Sequence, residues 1–372
     1  MDFDLSKPQK MLQDSVREFL SRHCNLERVR ELMETPTAYD AELWEGLTDQ
    51  GWTALTLPEE HEGLGLGAVD LVAVAEAMGS FTMPGPFVSN LWAAELIAAS
   101  GNGAIAKDVL PGVADGEARV TVALLEEKAS WDPADVVLVL EEAGDGFKTS
   151  GEKLFVPDAE VADLILVVGR LGGDLAIVAV DREADGVAVE AMPAMDATRK
   201  LYKMSFDDVV GGALVTRGDA AEEALARATR LATVAVCGEL VGGMQWVLDT
   251  TVEYAKTREQ FGRPIGSFQA VQHHCADILY FLESARSAAY YAAWAVSVDD
   301  PGADTAVSVA KAYCSDAARE VGNLGIQVHG GIGFTWEHDL HLFYKRAKSN
   351  EILFGDATFH RNRIAAMVID GD

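Results

Sequence analysis

Two stretches of this chain place arginine, glutamine and glycine at spacings suited to holding a phosphorylated ligand. The first, YAKTREQFGRPIGSFQAVQHHCADI, puts Arg258 at the end of a helical run. It continues into a connector, FGRPIGSF, stiffened by Pro264 between Gly262 and Gly266. A guanidinium beside exposed backbone amides can clamp a pyrophosphate, because its planar fork pairs with two oxygens at once. The plainer alternative is that Arg258 only offsets the carbonyl end of its helix. The second stretch is GIQVHGGIGFTWEHDLHLFYKRAK. Gly330, Gly331 and Gly333 let backbone approach a ligand closely, and Gln327 can reach an adenine or ribose edge. A glycine cluster also builds ordinary tight turns between helices. His338 and His341 lie at i and i+3 beside Glu337, but no third well-spaced ligand follows. The pair reads as a solvated helix face, and no metal is expected.

Other chemistries find no support. There is no GxSxG elbow, and Cys24, Cys237, Cys275 and Cys314 lie far apart without a CxxC pair, so they read as reduced thiols. The run GLGLGA (Gly63 to Ala68) precedes a helix but follows LPEEHE rather than a strand, so a dinucleotide-binding reading fails. With 30 basic against 59 acidic residues, the net charge is −29. That field repels nucleic acid and anionic membranes, and neither partner is expected. It also repels nucleotide phosphates at long range, so such a ligand needs local donors. No apolar run reaches the roughly 18 to 20 residues of a membrane span, and the acidic amphipathic opening MDFDLSKPQKMLQDSVREFL lacks the marks of a signal peptide. A cytoplasmic location is the default.

The elements that must position these residues fall into three parts. A length of 372 residues allows two or three domains. In the first part Leu12, Val16, Phe19 and Leu20 follow one helix face, and VDLVAVAEAM (Val69 to Met78) is apolar nearly all round, as a helix buried between others must be. From about Arg119 the texture changes to short β-branched runs, VTVALL, VVLVL, LFV, LILVV, LAIVAV, GVAVEAM and KMSFDDV. Turns such as AGDG, TSGEK, RLGGD and READG separate them, which argues a small antiparallel sheet or barrel. From about Ala220 long helices return. Val234, Val241, Leu248 and Ala255 repeat every seven residues, with Cys237, Met244 and Thr251 interleaved, a seam for packing in a helix bundle. The expected domains are 1–118 helical, 119–219 antiparallel β and 220–372 a four-helix bundle.

Taken together these residues resemble the acyl-CoA dehydrogenase family, over essentially the whole chain. The matching segments are LPEEHEGLGLGAVDLVAVAEAMG, TSGEKLFVPDAEVAD (at Gly151, Lys153, Ala162 and Asp163), MDATRKLYKMSFDDV and, most specifically, TREQFGRPIGSFQ and QVHGGIGFT. The resemblance implies N-terminal helices, a middle β-domain and a C-terminal four-helix bundle, assembled as a dimer or tetramer with FAD at a dimer interface. It implies an acyl-CoA substrate, α,β-dehydrogenation by a carboxylate base with hydride leaving for the flavin, and an electron-transfer flavoprotein as electron acceptor. The α-proton of a thioester is only weakly acidic, so such a reaction needs both hydrogen bonds to the carbonyl and a desolvated base.

Residue by residue, the resemblance assigns cofactor contacts across the interface to Arg258, Gln260, Phe261, Ile265, Phe268, Gln269, Gln327, Gly330 and Gly331, all intact here. The positions that cradle the flavin ring within one chain depart from the family pattern: LLEEKASWDP around Glu126 to Pro133, and FVP at Phe155 to Pro157. The base departs too. Its common position, before a glycine, is Phe354, and its alternative position is Ala232; neither takes a proton. The nearby carboxylates are Asp356 and Glu239, the latter mid-helix among apolar residues, where an unpaired carboxylate has a raised pKa. The plainer readings are a turn or helix cap for Asp356 and a partnered helix-face residue for Glu239. Three functions follow: a non-catalytic subunit of a heteromeric dehydrogenase of bulky acyl-CoA esters such as steroid side chains, a self-sufficient dehydrogenase with its base relocated to Asp356 or Glu239, or a flavin monooxygenase or oxidase on the same fold. A flavin-free helical scaffold is the outsider.

Overall fold

Helices fill the chain as far as Ala114, strands run from Val120 to Arg217, and helices return from Asp219, in the order expected. The computed structural model describes residues 5–144 and 146–370. The opening MDFD and Asp145 of the AGDG turn therefore lie outside the described residues. The first helices are α1 (Lys7–His23), α2 (Leu26–Met33), α3 (Ala41–Asp49), α4 (Ala68–Gly79), α5 (Phe87–Ala99) and α6 (Gly103–Ala114). The strands are β1 (Val120–Ala123), β2 (Val139–Ala143), β3 (Gly146–Pro157), β4 (Leu164–Leu171), β5 (Asp174–Asp181), β6 (Val187–Met192), β7 (Leu201–Gly211) and β8 (Ala213–Arg217). After them come α7 (Asp219–Thr257), the short strands β9 (Glu259–Gln260) and β10 (Arg263–Pro264), α8 (Gln269–Ser297), α9 (Ala303–His329), α10 (Leu340–Ile352) and α11 (Ala357–Ala365).

Contacts gather the chain into two units. One takes the stretch up to Arg30, Ala68–Met83 and the stretch from Thr233 onward; the other takes Glu31–Gly67 and Pro84–Ala232. By contact, then, α1 and α4 belong with the C-terminal helices.

In the first unit α1 starts on a capping box, with the Ser6 side chain accepting from the Gln9 amide and Gln9 reciprocating. It buries Gln13, Val16 and Leu20. Helix α4 is buried on nearly every face, as its composition requires, and its one internal carboxylate is matched: the Tyr290 hydroxyl donates to Glu76 at 2.7 Å and Arg286 pairs with it at 3.3 Å. The seven-residue seam of α7 is buried throughout. An 18-residue window of α7 is long and apolar enough to resemble a membrane span, yet 78% of it is buried in the fold, the mark of a core helix. Helices α4 and α7 cross at backbone contact. A Cβ on Gly242 would stand 1.9 Å from the Glu76 carbonyl oxygen, one on Gly238 2.8 Å from that of Val72, and one on Gly79 2.1 Å from that of Glu239.

The second unit is built on one sheet with order β6-β7-β3-β2-β4-β5-β8, to which β1 adds by pairing with β4. Most pairings are antiparallel, but β1 and β2 both run parallel to β4, so the sheet is mixed rather than wholly antiparallel. Both strands reach β4 through intervening chain and not through a tight turn, and parallel pairing requires such a crossover. Ile165, Val167, Val178, Val180, Met204 and Val209 form part of its core.

The helix crossing yields the first expectation. Gly242→Ala drives a methyl into the α4 backbone and should lower the unfolding free energy by about 3 kcal/mol. Gly243→Ala, whose nearest neighbours lie at 3.8 Å, should change it little. Urea unfolding followed by far-UV circular dichroism compares the two.

Candidate functional site

The helical hydrogen bonding of α7 ends where the Arg258 amide donates to the Tyr254 carbonyl at 2.8 Å, and the Arg258 carbonyl accepts from the Ile265 amide at 2.8 Å. Between these ties the chain does more than the stiff connector expected: β9 and β10 form a hairpin, pairing Gln260 with Arg263. Its two turn residues, Phe261 and Gly262, have φ of 55° and 77°, the signature of a type I′ turn. Asn-Gly is the usual sequence for that turn, so phenylalanine gave no warning. A bulky residue in the left-handed region stores strain of about 1 kcal/mol. Phe261 is also 91% exposed. Its ring meets Phe268 edge-on at 6.0 Å, and the Arg263 guanidinium lies 4.1 Å over the Phe268 ring. Arg258, Gln260 and Gln269 are exposed, Ile265 and Phe268 half-buried.

The second motif lies at the same end of its unit. Helix α9 finishes at His329, and Gly330 leaves it at φ 63° with its amide donating back to Ile326. A Cβ on Gly330 or Gly331 would meet nothing within 4 Å, so this backbone is bare, and Gln327 beside it is exposed. The Tyr254 ring of α7 stacks on the His329 ring of α9 with centroids 4.4 Å apart, joining the two motifs. His338 and His341 depart from a solvated face. His338 meets the His329 ring edge-on at 4.6 Å, and His341 packs on Trp336 at 4.7 Å, because the turn after Phe334 folds these rings back onto the helix ends.

At Phe354 the chain makes a tight turn, with φ of 60° there and 99° at Gly355. Phe354 is 2% exposed. Two buried polar side chains hold the turn. Lys311 of α9 donates to the carbonyls of Glu351 (2.9 Å) and Gly355 (2.8 Å) and to the Ser315 hydroxyl (3.2 Å), while His360 donates from Nε2 to the Phe354 carbonyl at 3.0 Å. Burial pushes the Lys311 ammonium down to about 8. Burial, with Lys311 nearby, pushes His360 down to about 3 despite its bond to Phe354. Asp356 is exposed and caps α11, accepting from the Phe359 amide at 2.8 Å. Glu239 is buried, accepts from Asn350 at 2.9 Å and lies 3.9 Å from Arg346, which also donates to the Met83 carbonyl at 3.0 Å. Glu239 is thus a partnered residue of the helix bundle, the plainer of the two expectations for it. Ala232 is buried.

Models of the acyl-CoA dehydrogenase N-terminal domain and C-terminal domain match residues 6–117 and 219–369. Acyl-CoA dehydrogenase IpdE2 of Mycolicibacterium smegmatis is 32% identical over 371 residues, covering 98% of this chain and all of that protein. The chain belongs to the acyl-CoA dehydrogenase family. Among solved structures, a Tcur3481-Tcur3483 steroid ACAD variant aligns with TM-score 0.88 and 30% identity over 98% of both chains. The ChsE4-ChsE5 complex of Mycobacterium tuberculosis aligns with TM-score 0.90 and 29% identity over 99% of both. Acyl-CoA dehydrogenases are FAD-dependent oxidoreductases acting on CH–CH bonds. The edge described above suits such a group: its guanidinium Arg258 has no partner among the described residues, carboxamides flank it, glycine backbone is bare, and an aromatic ring stands uncovered.

The positions expected from the resemblance to cradle a flavin ring within one chain are engaged in contacts of their own. Glu126 accepts from Lys153 at 2.6 Å and from the amides of Val137 and Leu138 at 2.9 and 3.0 Å. Lys153 also donates to the Leu124 carbonyl at 2.9 Å. Burial pushes Lys153 down to about 8, while on Glu126 those same bonds outweigh burial and hold the carboxyl below its usual value. Ser130 and Arg170 tie down the rest of the loop through Asp135 and the Pro133 carbonyl. Phe155 sits in a bulge of β3, with φ of 55° and the register shifting between Lys153 and Val156. Sequence reasoning missed this clamp, although a lysine inside a β-branched strand was its available sign. It also missed Glu95, buried on α5, whose carboxyl is raised to about 6 by burial while Thr56 donates to it at 2.5 Å.

The turn supplies the second expectation. His360 is neutral in the fold down to about pH 3, whereas in the unfolded chain it takes a proton near pH 6.5. The stability it contributes is therefore complete above pH 6.5 and lost as pH falls toward 3, by about 1.4 kcal/mol per unit. His360→Gln should flatten that part of the profile. Urea titrations of both proteins between pH 7 and 4 give the comparison.

Proposed function

We propose that this chain is the non-catalytic half of a heteromeric, FAD-dependent acyl-CoA dehydrogenase, handling a bulky acyl group as its coenzyme A thioester. The observation that carries the reading is the Phe354 turn. The turn is built and braced, yet the residue it presents is a buried phenylalanine. Ala232, at the alternative position, is equally unable to take a proton. Neither substitute carboxylate is at leisure: Asp356 caps a helix, and Glu239 is bonded to Asn350 beside Arg346. The similar ChsE4-ChsE5 complex and the Tcur3481-Tcur3483 steroid ACAD support a two-component enzyme and a steroid-like substrate.

On this reading the labour divides between chains. Bound FAD supplies the hydride acceptor. This chain offers its edge to the cofactor: Arg258 clamps phosphate with its fork, Gln327 reaches a polar edge, Gly330 and Gly331 admit close backbone approach, and Phe261 excludes water. The partner contributes the carboxylate that removes the α-proton and the donors that polarise the thioester carbonyl. The clamped 126–137 loop keeps its polar atoms for itself, in keeping with ring-cradling contacts supplied by the partner. An electron-transfer flavoprotein then accepts the electrons.

Two outcomes test this. Arg258→Ala in the assembled enzyme should weaken FAD binding about tenfold to a hundredfold, a loss of roughly 1.5 to 3 kcal/mol, and Arg258→Lys should recover only part of it. Absorbance near 450 nm after gel filtration reads the occupancy, and an unchanged Arg258→Ala complex would remove the anchor role. The chain alone should dehydrogenate acyl-CoA about a hundredfold to ten-thousandfold more slowly than the complex, the usual cost of a missing general base. Full activity of the isolated chain, abolished by Asp356→Asn or Glu239→Gln, would defeat the subunit reading.

A further inference from the structure

The two motifs that form the cofactor edge leave different helices, and one ring pair ties them together. Tyr254 stands one helical turn before Arg258, linked by the Arg258 amide bond to the Tyr254 carbonyl at 2.8 Å. His329 stands one residue before Gly330. Their rings stack at 4.4 Å with an interplanar angle of 22°. The histidine is fixed within this stack. It is 3% exposed, and its Nδ1 donates to the Gly325 carbonyl at 2.8 Å. Because a carbonyl only accepts, the hydrogen is on Nδ1, and Nε2 is a bare acceptor. That Nε2 is buried and meets no hydrogen-bond partner among the described residues. A buried acceptor left unpaired costs about 1–3 kcal/mol. An apolar ring would avoid the cost and still stack, so the imidazole is not explained by packing alone.

We propose that His329 is a positioning residue for the cofactor edge: its neutral ring, locked by Gly325 and stacked on Tyr254, sets the spacing between Arg258 with its hairpin and the bare backbone of Gly330 and Gly331. It acts through Tyr254 and Gly330 and does not touch the ligand. The inference rests on the reading of that edge as the FAD site. A second proton would place a donor on Nε2 where no acceptor stands, so protonation would break the arrangement. The groups facing the ring are Tyr254 from α7 and His338 from the turn before α10, with Asp339 and Arg30 of α2 behind His338. Burial first, and His338 second, keep His329 below the ordinary histidine range against the pull of the Gly325 bond.

The test measures FAD affinity of the assembled enzyme between pH 8 and 5 by flavin fluorescence, with thermal unfolding recorded alongside. His329→Ala removes the stack and should weaken FAD roughly tenfold at pH 8. His329→Phe keeps a ring for the stack and cannot be protonated. Without the bond to Gly325 it should bind about threefold more weakly than the parent at pH 8, still more tightly than His329→Ala, and lose the further weakening that the parent shows toward low pH. FAD binding by His329→Ala equal to the parent's overturns the proposal, as does a His329→Phe protein that weakens at low pH as the parent does. If His329→Ala does not fold, the His329→Phe profile alone decides. If Arg258→Ala also leaves FAD binding unchanged, the cofactor reading itself fails. If Arg258→Ala loses FAD while His329→Ala keeps it, only the positioning role fails.

Discussion

Helix α7 reaches α4 only because residues 238 and 242 carry no side chain. The backbones meet so closely that a single methyl at Gly242 has no room, and Gly79 makes the matching concession from the other side. Much of the chemistry is indexed to this contact. Glu239 lies between the two glycines, and the same helix continues to Tyr254 and Arg258. Position along a straight helix is set to within a residue once one crossing is fixed, because each residue advances the axis by about 1.5 Å. A crossing without side chains is therefore a stricter ruler than one padded by leucines, which can tilt and repack.

The polar interior follows one rule in several places. Lysine, glutamate and arginine are buried only where neighbours absorb their donors and acceptors. Lys153 has Glu126 and a carbonyl, Lys311 has two carbonyls and a hydroxyl, and Glu239 has Asn350 with Arg346 beside it. Such sites are costly to break by removing one partner. They brace two segments, the 126–137 loop in one unit and the 354–356 turn in the other. The second of these holds a turn whose buried residue, Phe354, can take no proton, so what the lysine and histidine secure there is the backbone itself.

Much of this was legible in the residues themselves. The all-apolar stretch from Val69 to Met78 could only be a buried helix, the seven-residue seam of α7 could only face a partner, and each β-branched run became or adjoined a strand. These features are local, and periodicity reports local geometry well. What stayed hidden depended on partners distant in sequence. That β1 and β2 lie parallel to β4 is a matter of long-range pairing, which strand composition does not encode. The Phe261 turn broke the local rule for its type, and such exceptions gather where a chain meets something else. The residues proposed for the FAD edge came from a family resemblance, since arginine and glycine spacing alone left an ordinary helix end equally open.

The bare end of the first unit has a consequence for how the protein must be made. Phe261, Phe334 and Trp336 all stand exposed there, beside backbone that carries no side chains at Gly330 and Gly331. Uncovered aromatic surface is tolerable in a finished assembly and hazardous in a waiting monomer, where it invites non-specific self-association. A chain of this kind synthesised in excess of whatever covers it meets its own copies first. On the heteromeric reading, the ratio and timing of production then govern how much folded material survives, and matched synthesis becomes a requirement written into a hairpin and a loop.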